Sequence, residues 1–163
     1  LGQFDVAQIC LNGHIINYHA KNESFLNKDF CTSCGEKTIT QCQCCTHEIR
    51  GEYSGSSWYG YDAYSGLFNC PSYCEKCGKA FPWTLSRIEA AQELARELEG
   101  LTEEEREILA NSINDIVKDS PRTIVATTRF KKVVSKVGLP VANAFKEILT
   151  DVVSETVKKS LWG

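Results

Sequence analysis

The chain has 163 residues, a formal net charge of −3, nine Cys and three His. An acidic balance does not favour general nucleic-acid binding, which draws most of its affinity from cations neutralising phosphates. A basic leader followed by an apolar stretch is missing, as is any run of about eighteen apolar residues, so neither secretion nor a membrane span is indicated and a cytoplasmic location is the expectation.

Chemistry divides the chain in two. All nine cysteines and all three histidines fall before residue 78, and residues 84–163 hold none. The first half is rich in Gly, Asn, Ser and Tyr and poor in long apolar runs, so its own burial would struggle to offset chain entropy. It needs a staple. In a reducing compartment, paired cysteines are metal thiolates more often than disulfides, and an odd total of nine does not close a disulfide framework. Two domains are therefore expected: residues 1–83, a double zinc-ribbon region, and residues 84–163, a helical domain.

Four short pairs carry the metal chemistry: Cys10-Leu-Asn-Gly-His14, Cys31-Thr-Ser-Cys34-Gly35, Cys42-Gln-Cys44-Cys45 and Cys74-Glu-Lys-Cys77-Gly78. Two ligands a few residues apart on a tight turn reach one ion, and Gly13, Gly35 and Gly78 suit turns of that sharpness. The simplest sequential assignment gives one zinc to Cys10, His14, Cys31 and Cys34 and a second to Cys42, Cys45, Cys74 and Cys77. An interleaved pairing is the alternative, and it closes longer loops. Both sites would be closed, hence structural, with binding energy that is folding energy. One three-thiolate site and one four-thiolate site would bring the loaded chain to a charge of about −6. Four further residues compete for ligand roles: His19 with His14, Cys44 with Cys45 through a shorter Cys42-x-Cys44 pair, and Cys70 or His47 for a place in the second site.

Residues 51–69 bring Tyr53, Trp58, Tyr59, Tyr61, Tyr64 and Phe68 into a Gly/Ser-rich setting. Ile49 and Arg50 can open a ribbon strand, with Trp58 to Tyr61 in a second hairpin strand. Either the rings cover a small sheet face, or they form a recognition surface. Base stacking there would lack a cationic track, because Arg50 is the only Arg or Lys between Lys37 and Lys76.

From residue 84 the apolar period becomes helical. Thr84 is expected as N-cap of a helix with Leu85, Ile88, Ala91, Leu94, Ala95 and Leu98 on one face, stopping near Gly100. Thr102-Glu-Glu-Glu105 reads as a capping box for a second helix carrying Ile108, Leu109, Ile113, Ile116 and Val117. Ser120-Pro121 reads as N-cap and first position of a third, with Ile124, Val125, Phe130, Val133, Val134 and Val137 inward and Gly138 as its end. From Pro140 a nearly unbroken stripe, Val141 through Val152 and Val153 to Leu161, predicts one long fourth helix of about 22 residues, or ~33 Å. Residues 84–119 hold four Lys/Arg against ten Asp/Glu, and residues 120–163 hold eight against three. An acidic helix pair thus meets a basic one. The fold class expected is α+β, with N-terminal tandem zinc ribbons of short hairpins and an all-α C-terminal bundle of about four helices.

With both halves read, the chain resembles an uncharacterised family of small bacterial double zinc-ribbon proteins over nearly its whole length. The resemblance is carried by Ile9-Cys10-Leu-Asn-Gly-His14, Phe30-Cys31-Thr-Ser-Cys34-Gly35, Ile49-Arg50-Gly51, Pro71-Ser-Tyr-Cys74-Glu-Lys-Cys77-Gly78 with Phe81-Pro82-Trp83, and Ser120-Pro121-Arg122-Thr123. The Gln-Cys-Gln-Cys-Cys segment departs from a plain C-x-x-C. The resemblance implies the eight metal ligands and supplies no activity. The functional expectation is a non-enzymatic adaptor that meets a protein partner through its ribbons and oligomerises or docks through its last helix. Nucleic-acid binding, through the ribbons or the Arg129, Lys131, Lys132 and Lys136 cluster, is the alternative. An enzymatic reading lacks a nucleophile, base and orienter set or an open metal position.

Overall fold

The computed structural model describes residues 2–55 and 68–163. Most of the aromatic segment, including the expected hairpin strand Trp58 to Tyr61, lies outside the described residues. The class is α+β: short antiparallel strands, then five helices, with the chain forming two compact units, Leu1–Thr84 and Leu85–Gly163.

In the first unit, β1 (Gln3–Val6) pairs antiparallel with β5 (Arg50–Ser54), Phe4 opposite Tyr53 and Val6 opposite Arg50. The register shifts between Phe4 and Val6, at Asp5. A second sheet has the order β3 (Ile15–Asn17), β2 (Gln8–Cys10), β4 (Thr38–Ile39), with β2 central and antiparallel to both neighbours. Strands of two to five residues cannot stand alone. They are joined by a core of Ala7, Ile9, Ile49, Phe81 and Trp83 that also contains Cys42 and Cys74. Phe81 and Trp83 stack with centroids 4.6 Å apart, and the Trp83 indole N–H donates to the Pro71 carbonyl at 2.8 Å.

The polar bulge is supported from below. Asp5 is buried, and its carboxylate accepts from the amides of Val6, Lys21 and Asn22 at 2.6, 2.9 and 3.2 Å. Burial works against the charge, but these three donors and the His19 ring outweigh it and lower the Asp5 pKa.

The second unit is built from α1 (Pro82–Glu97, its first turn still in the first unit), α2 (Glu103–Val117), α3 (Thr123–Val137), α4 (Leu139–Leu149) and α5 (Glu155–Trp162). Its core draws on Ala91 and Ala95 of α1, Leu109, Ile113 and Ile116 of α2, Phe130 and Val134 of α3, Phe145 and Leu149 of α4, and Val157 of α5. Phe130 meets Phe145 edge to face at 5.1 Å. The capping box is present: the Thr102 hydroxyl accepts from the Glu105 amide, and the Glu105 carboxylate accepts from the Thr102 amide. Acidic and basic halves meet through exposed pairs, Lys136 with Glu105, Arg122 with Asp115 at 3.3 Å and Arg87 with Asp151 at 2.9 Å.

Helix boundaries differ from the sequence expectation at three places. The first helix opens at Pro82 rather than after Thr84, because proline at the first helical position forfeits no intrahelical hydrogen bond. Thr84 is instead fully buried, with its hydroxyl donating to the Ser72 carbonyl at 2.8 Å. The third helix proper begins at Thr123, after a turn in which the Ser120 hydroxyl accepts from the Arg122 amide and the Thr123 hydroxyl donates to the Asp115 carbonyl.

The expected long fourth helix is two helices. It breaks between Leu149 and Glu155, where Ser154 caps α5 by accepting from the Val157 amide at 3.2 Å. Val152 and Val153, in the linker between the two helices, are both buried, at 5% and 7% exposure. Periodicity continues across the gap only because each fragment is amphipathic by itself. Leu85, Ile108, Ile124 and Val125, assigned to inward faces by the same reasoning, are exposed.

Candidate metal centres

Three of the four ligand pairs have one backbone geometry. The amides of Cys31, Cys42 and Cys74 each donate at 2.8 Å to the carbonyl five residues on, those of Glu36, His47 and Lys79. The carbonyls of the same cysteines accept from Gly35, Thr46 and Gly78 at 2.8, 2.9 and 2.8 Å. An isolated antiparallel bridge closes each turn, Phe30 with Lys37, Gln41 with Glu48 and Tyr73 with Ala80. These turns aim both thiols of a pair to one side, and the residue after the second Cys must take positive φ. Gly35 and Gly78 do so at 75° and 70°, and Thr46 does so at 59°.

The fourth pair sits on the β2–β3 hairpin. The Cys10 amide donates to the His14 carbonyl at 3.0 Å, and the Cys10 carbonyl accepts from Gly13 at 2.8 Å. Gly13 has φ 87°, and a Cβ on it would lie 3.0 Å from Trp83 Cβ, so the indole packs directly beneath this turn.

The turns converge in two groups. Cys10, His14, Cys31 and Cys34 form one, and Cys42, Cys45, Cys74 and Cys77 the other, with the donor atoms of each group all within 4.8 Å of one another. The sequential pairing of turns is the one the structure assembles, and the interleaved one is not. In the first group Cys10 Sγ lies 3.7 Å from Cys34 Sγ and 3.4 Å from His14 Nδ1, which is 3.6 Å from Cys31 Sγ. In the second, Cys42 and Cys77 are 3.8 Å apart and Cys45 and Cys74 3.6 Å. A tetrahedral ion with metal–sulfur bonds near 2.3 Å requires edges of about 3.8 Å between thiolates. Both groups fit a four-coordinate metal ion supplied wholly by protein ligands.

The thiol electrostatics suit that chemistry. At Cys31 burial opposes ionisation, but the amides of Ser33 and Cys34 and the neighbouring thiols bring its pKa down to about 6. At Cys74 the Cys77 amide leads and overcomes burial, again giving about 6. Cys77 shows the converse: the Lys79 amide favours its thiolate, yet burial and the crowding sulfurs of Cys45, Cys74 and Cys42 push it up to about 12. Each group therefore sets one ready thiolate, Cys31 or Cys74, beside thiols pushed the other way, Cys10 in the first group and Cys45 and Cys77 in the second, and a cation resolves the conflict.

None of the competing residues belongs to either group of four donors. Cys44 is exposed, and Cys70 is half buried against the core that contains Cys42 and Cys74. His19 stands between carboxylates, with Nε2 3.1 Å from Glu52 and Nδ1 3.8 Å from Asp5. His47 Nε2 is 3.2 Å from Glu75 Oε1, and the other oxygen of Glu75 is 2.7 Å from Arg50 Nη2. Glu75 thereby ties the Cys74–Cys77 turn to His47, just past the Cys42–Cys45 turn, and to Arg50 of β5, a role the sequence did not announce. Its only signal was position, inside one Cys pair and opposite a His just past another.

No curated protein and no solved structure matches the chain. Residues 3–161 do match the model of a family described as "Uncharacterized protein conserved in bacteria (DUF2321)", and the chain belongs to that family.

Proposed function

We propose that the protein is a zinc-binding interaction module and not an enzyme: two structural zinc ions rigidify the ribbon unit as a recognition surface, and the helical unit self-associates or docks a protein partner. One observation carries the reading. Each candidate centre has four protein donors at tetrahedral spacing, which leaves an ion no position for water or substrate. Zinc is favoured because sets of four thiolates, or of three thiolates and one imidazole, at this spacing suit a soft-tolerant ion with a filled d shell and no redox chemistry.

The interaction half of the reading draws on apolar surface. Ile124, Val125 and Leu139 are 76%, 50% and 71% exposed on the helical unit, and Phe25 and Phe30 are 81% and 61% exposed on the ribbon unit. Side chains of this size left in water mark surfaces that gain by being covered. Nucleic-acid binding has less support, because Lys136 of the basic cluster is engaged by Glu105.

Sedimentation of the zinc-loaded protein over a wide concentration range tests the proposal. Self-association that Ile124→Lys and Leu139→Lys abolish supports it. A strict monomer that instead binds DNA or RNA with a steep salt dependence overturns it.

A further inference from the structure

The ribbon unit contains a cavity of about 340 Å³ beside β5, bordered on one side by Cys74 of the second candidate centre. Among the described residues its wall carries five aromatic rings, Phe4, Tyr53, Phe68, Tyr73 and Phe81. The same wall brings three carboxylates, Glu48, Glu52 and Glu75, against one guanidinium, Arg50, and one imidazole, His47. The described lining is net negative in either state of that imidazole.

One cation is already seated in this lining. The Arg50 guanidinium lies over the Phe4 ring, 4.7 Å from its centroid, while its Nη2 reaches Glu75 Oε2 at 2.7 Å. A ring face and a carboxylate acting together are the chemistry by which proteins hold organic cations. Glu52 adds a carboxylate only 9% exposed, braced by His19 at 3.1 Å. Phe4 and Tyr73, 50% and 36% exposed, keep ring surface within reach of solvent.

Other ligand classes fit less well. An anion would meet the carboxylates. A wholly apolar ligand would strip water from them without replacing its hydrogen bonds, leaving buried charge uncompensated. An aromatic lining with an acidic balance is satisfied by a ligand that is at once greasy and positive. At this volume the cavity stands at the small end of ligand sites, large enough for one alkylammonium group and its stem.

We propose that this cavity binds an organic cation of the alkylammonium class, free or as the side chain of a basic peptide, using the rings of Phe4 and Tyr73 and the carboxylate of Glu75. Arg50 is then an internal competitor, holding one ring face and one carboxylate oxygen that the ligand would use. Every described residue of the cavity lining belongs to the ribbon unit.

The experiment titrates the whole chain, with its zinc content measured first for every variant, against choline and its uncharged isostere 3,3-dimethylbutan-1-ol, following binding by NMR. Choline is expected to bind about tenfold tighter than the isostere, the scale of a desolvated cation–π contact. Phe4→Ala and Tyr73→Ala weaken choline binding, Glu75→Gln removes much of the preference over the isostere, and Arg50→Gln tightens choline. A parallel titration with a short lysine-containing peptide separates the two sources, since the tighter ligand identifies whether a small free cation or a basic side chain is preferred. Equal affinity for choline and the isostere, no saturable binding of choline or peptide by zinc-loaded protein, or weaker binding in Arg50→Gln overturns the proposal.

Discussion

Thr46 donates its amide to the Cys42 carbonyl at 2.9 Å while holding φ at 59°, the conformation that glycine holds at the corresponding place in the two turns that end at Gly35 and Gly78. A β-branched residue there carries backbone strain, and its hydroxyl bond to the Cys45 carbonyl at 2.7 Å offsets only part of it. Thr46→Gly is expected to stabilise the zinc-loaded protein by about 1 kcal/mol, read as a higher urea midpoint with unchanged slope.

Gly13 and Gly35 separate backbone strain from packing. Both have positive φ, but a Cβ at Gly13 meets Trp83 whereas one at Gly35 meets nothing within 4 Å. Gly35→Ala is expected to cost about 1 kcal/mol and Gly13→Ala about 2–3 kcal/mol, since the second also displaces a packed indole. The same urea titration checks the order of the two.

Acid should weaken metal binding, and more steeply below a definite point. A thiol that must lose a proton to bind the ion makes affinity fall as pH falls. Cys31 and Cys74, with pKa values of about 6, are already thiolates above that pH and add no proton release there. Below it each must be deprotonated, so the slope of log affinity against pH is expected to increase by about one proton at the four-thiolate site. Zinc competition titrations with a chelator, run on both sides of pH 6, check this.

The break between α4 and α5 depends on a cap. Ser154→Ala removes the acceptor of the Val157 amide and is expected to cost the helical unit about 1 kcal/mol, measured by thermal melting. If the two helices were one, Ser154 would lie mid-helix and alanine there would stabilise.

Much of the candidate site was legible because its chemistry is local. Cys-x-x-Cys followed by Gly specifies its own turn, and the shared hydrogen bonds around Cys31 and Cys74 follow from that spacing. At the third turn the sequence offered two spacings and no glycine. What favours Cys45 over Cys44 is that Thr46 adopts a glycine-like backbone, an energy no local propensity reveals. Helix existence was legible from periodicity, and helix ends were not. Thr84 looks like a cap, but its hydroxyl goes to Ser72, twelve residues back, and Ser154, inside the stripe expected as one helix, is a cap. The role of Glu75 was invisible because its partners, His47 and Arg50, come from another turn and from β5.

The central claim is that eight named residues hold two ions. Native mass spectrometry of the protein purified without added metal, with Cys45→Ser and the double substitution Cys44→Ser, Cys70→Ser alongside, tests it most directly. Two zinc ions per chain are expected in the wild type and in the double variant, and one firmly held ion in Cys45→Ser. No zinc or one zinc in the wild type, or loss of an ion from the double variant with retention in Cys45→Ser, would contradict it.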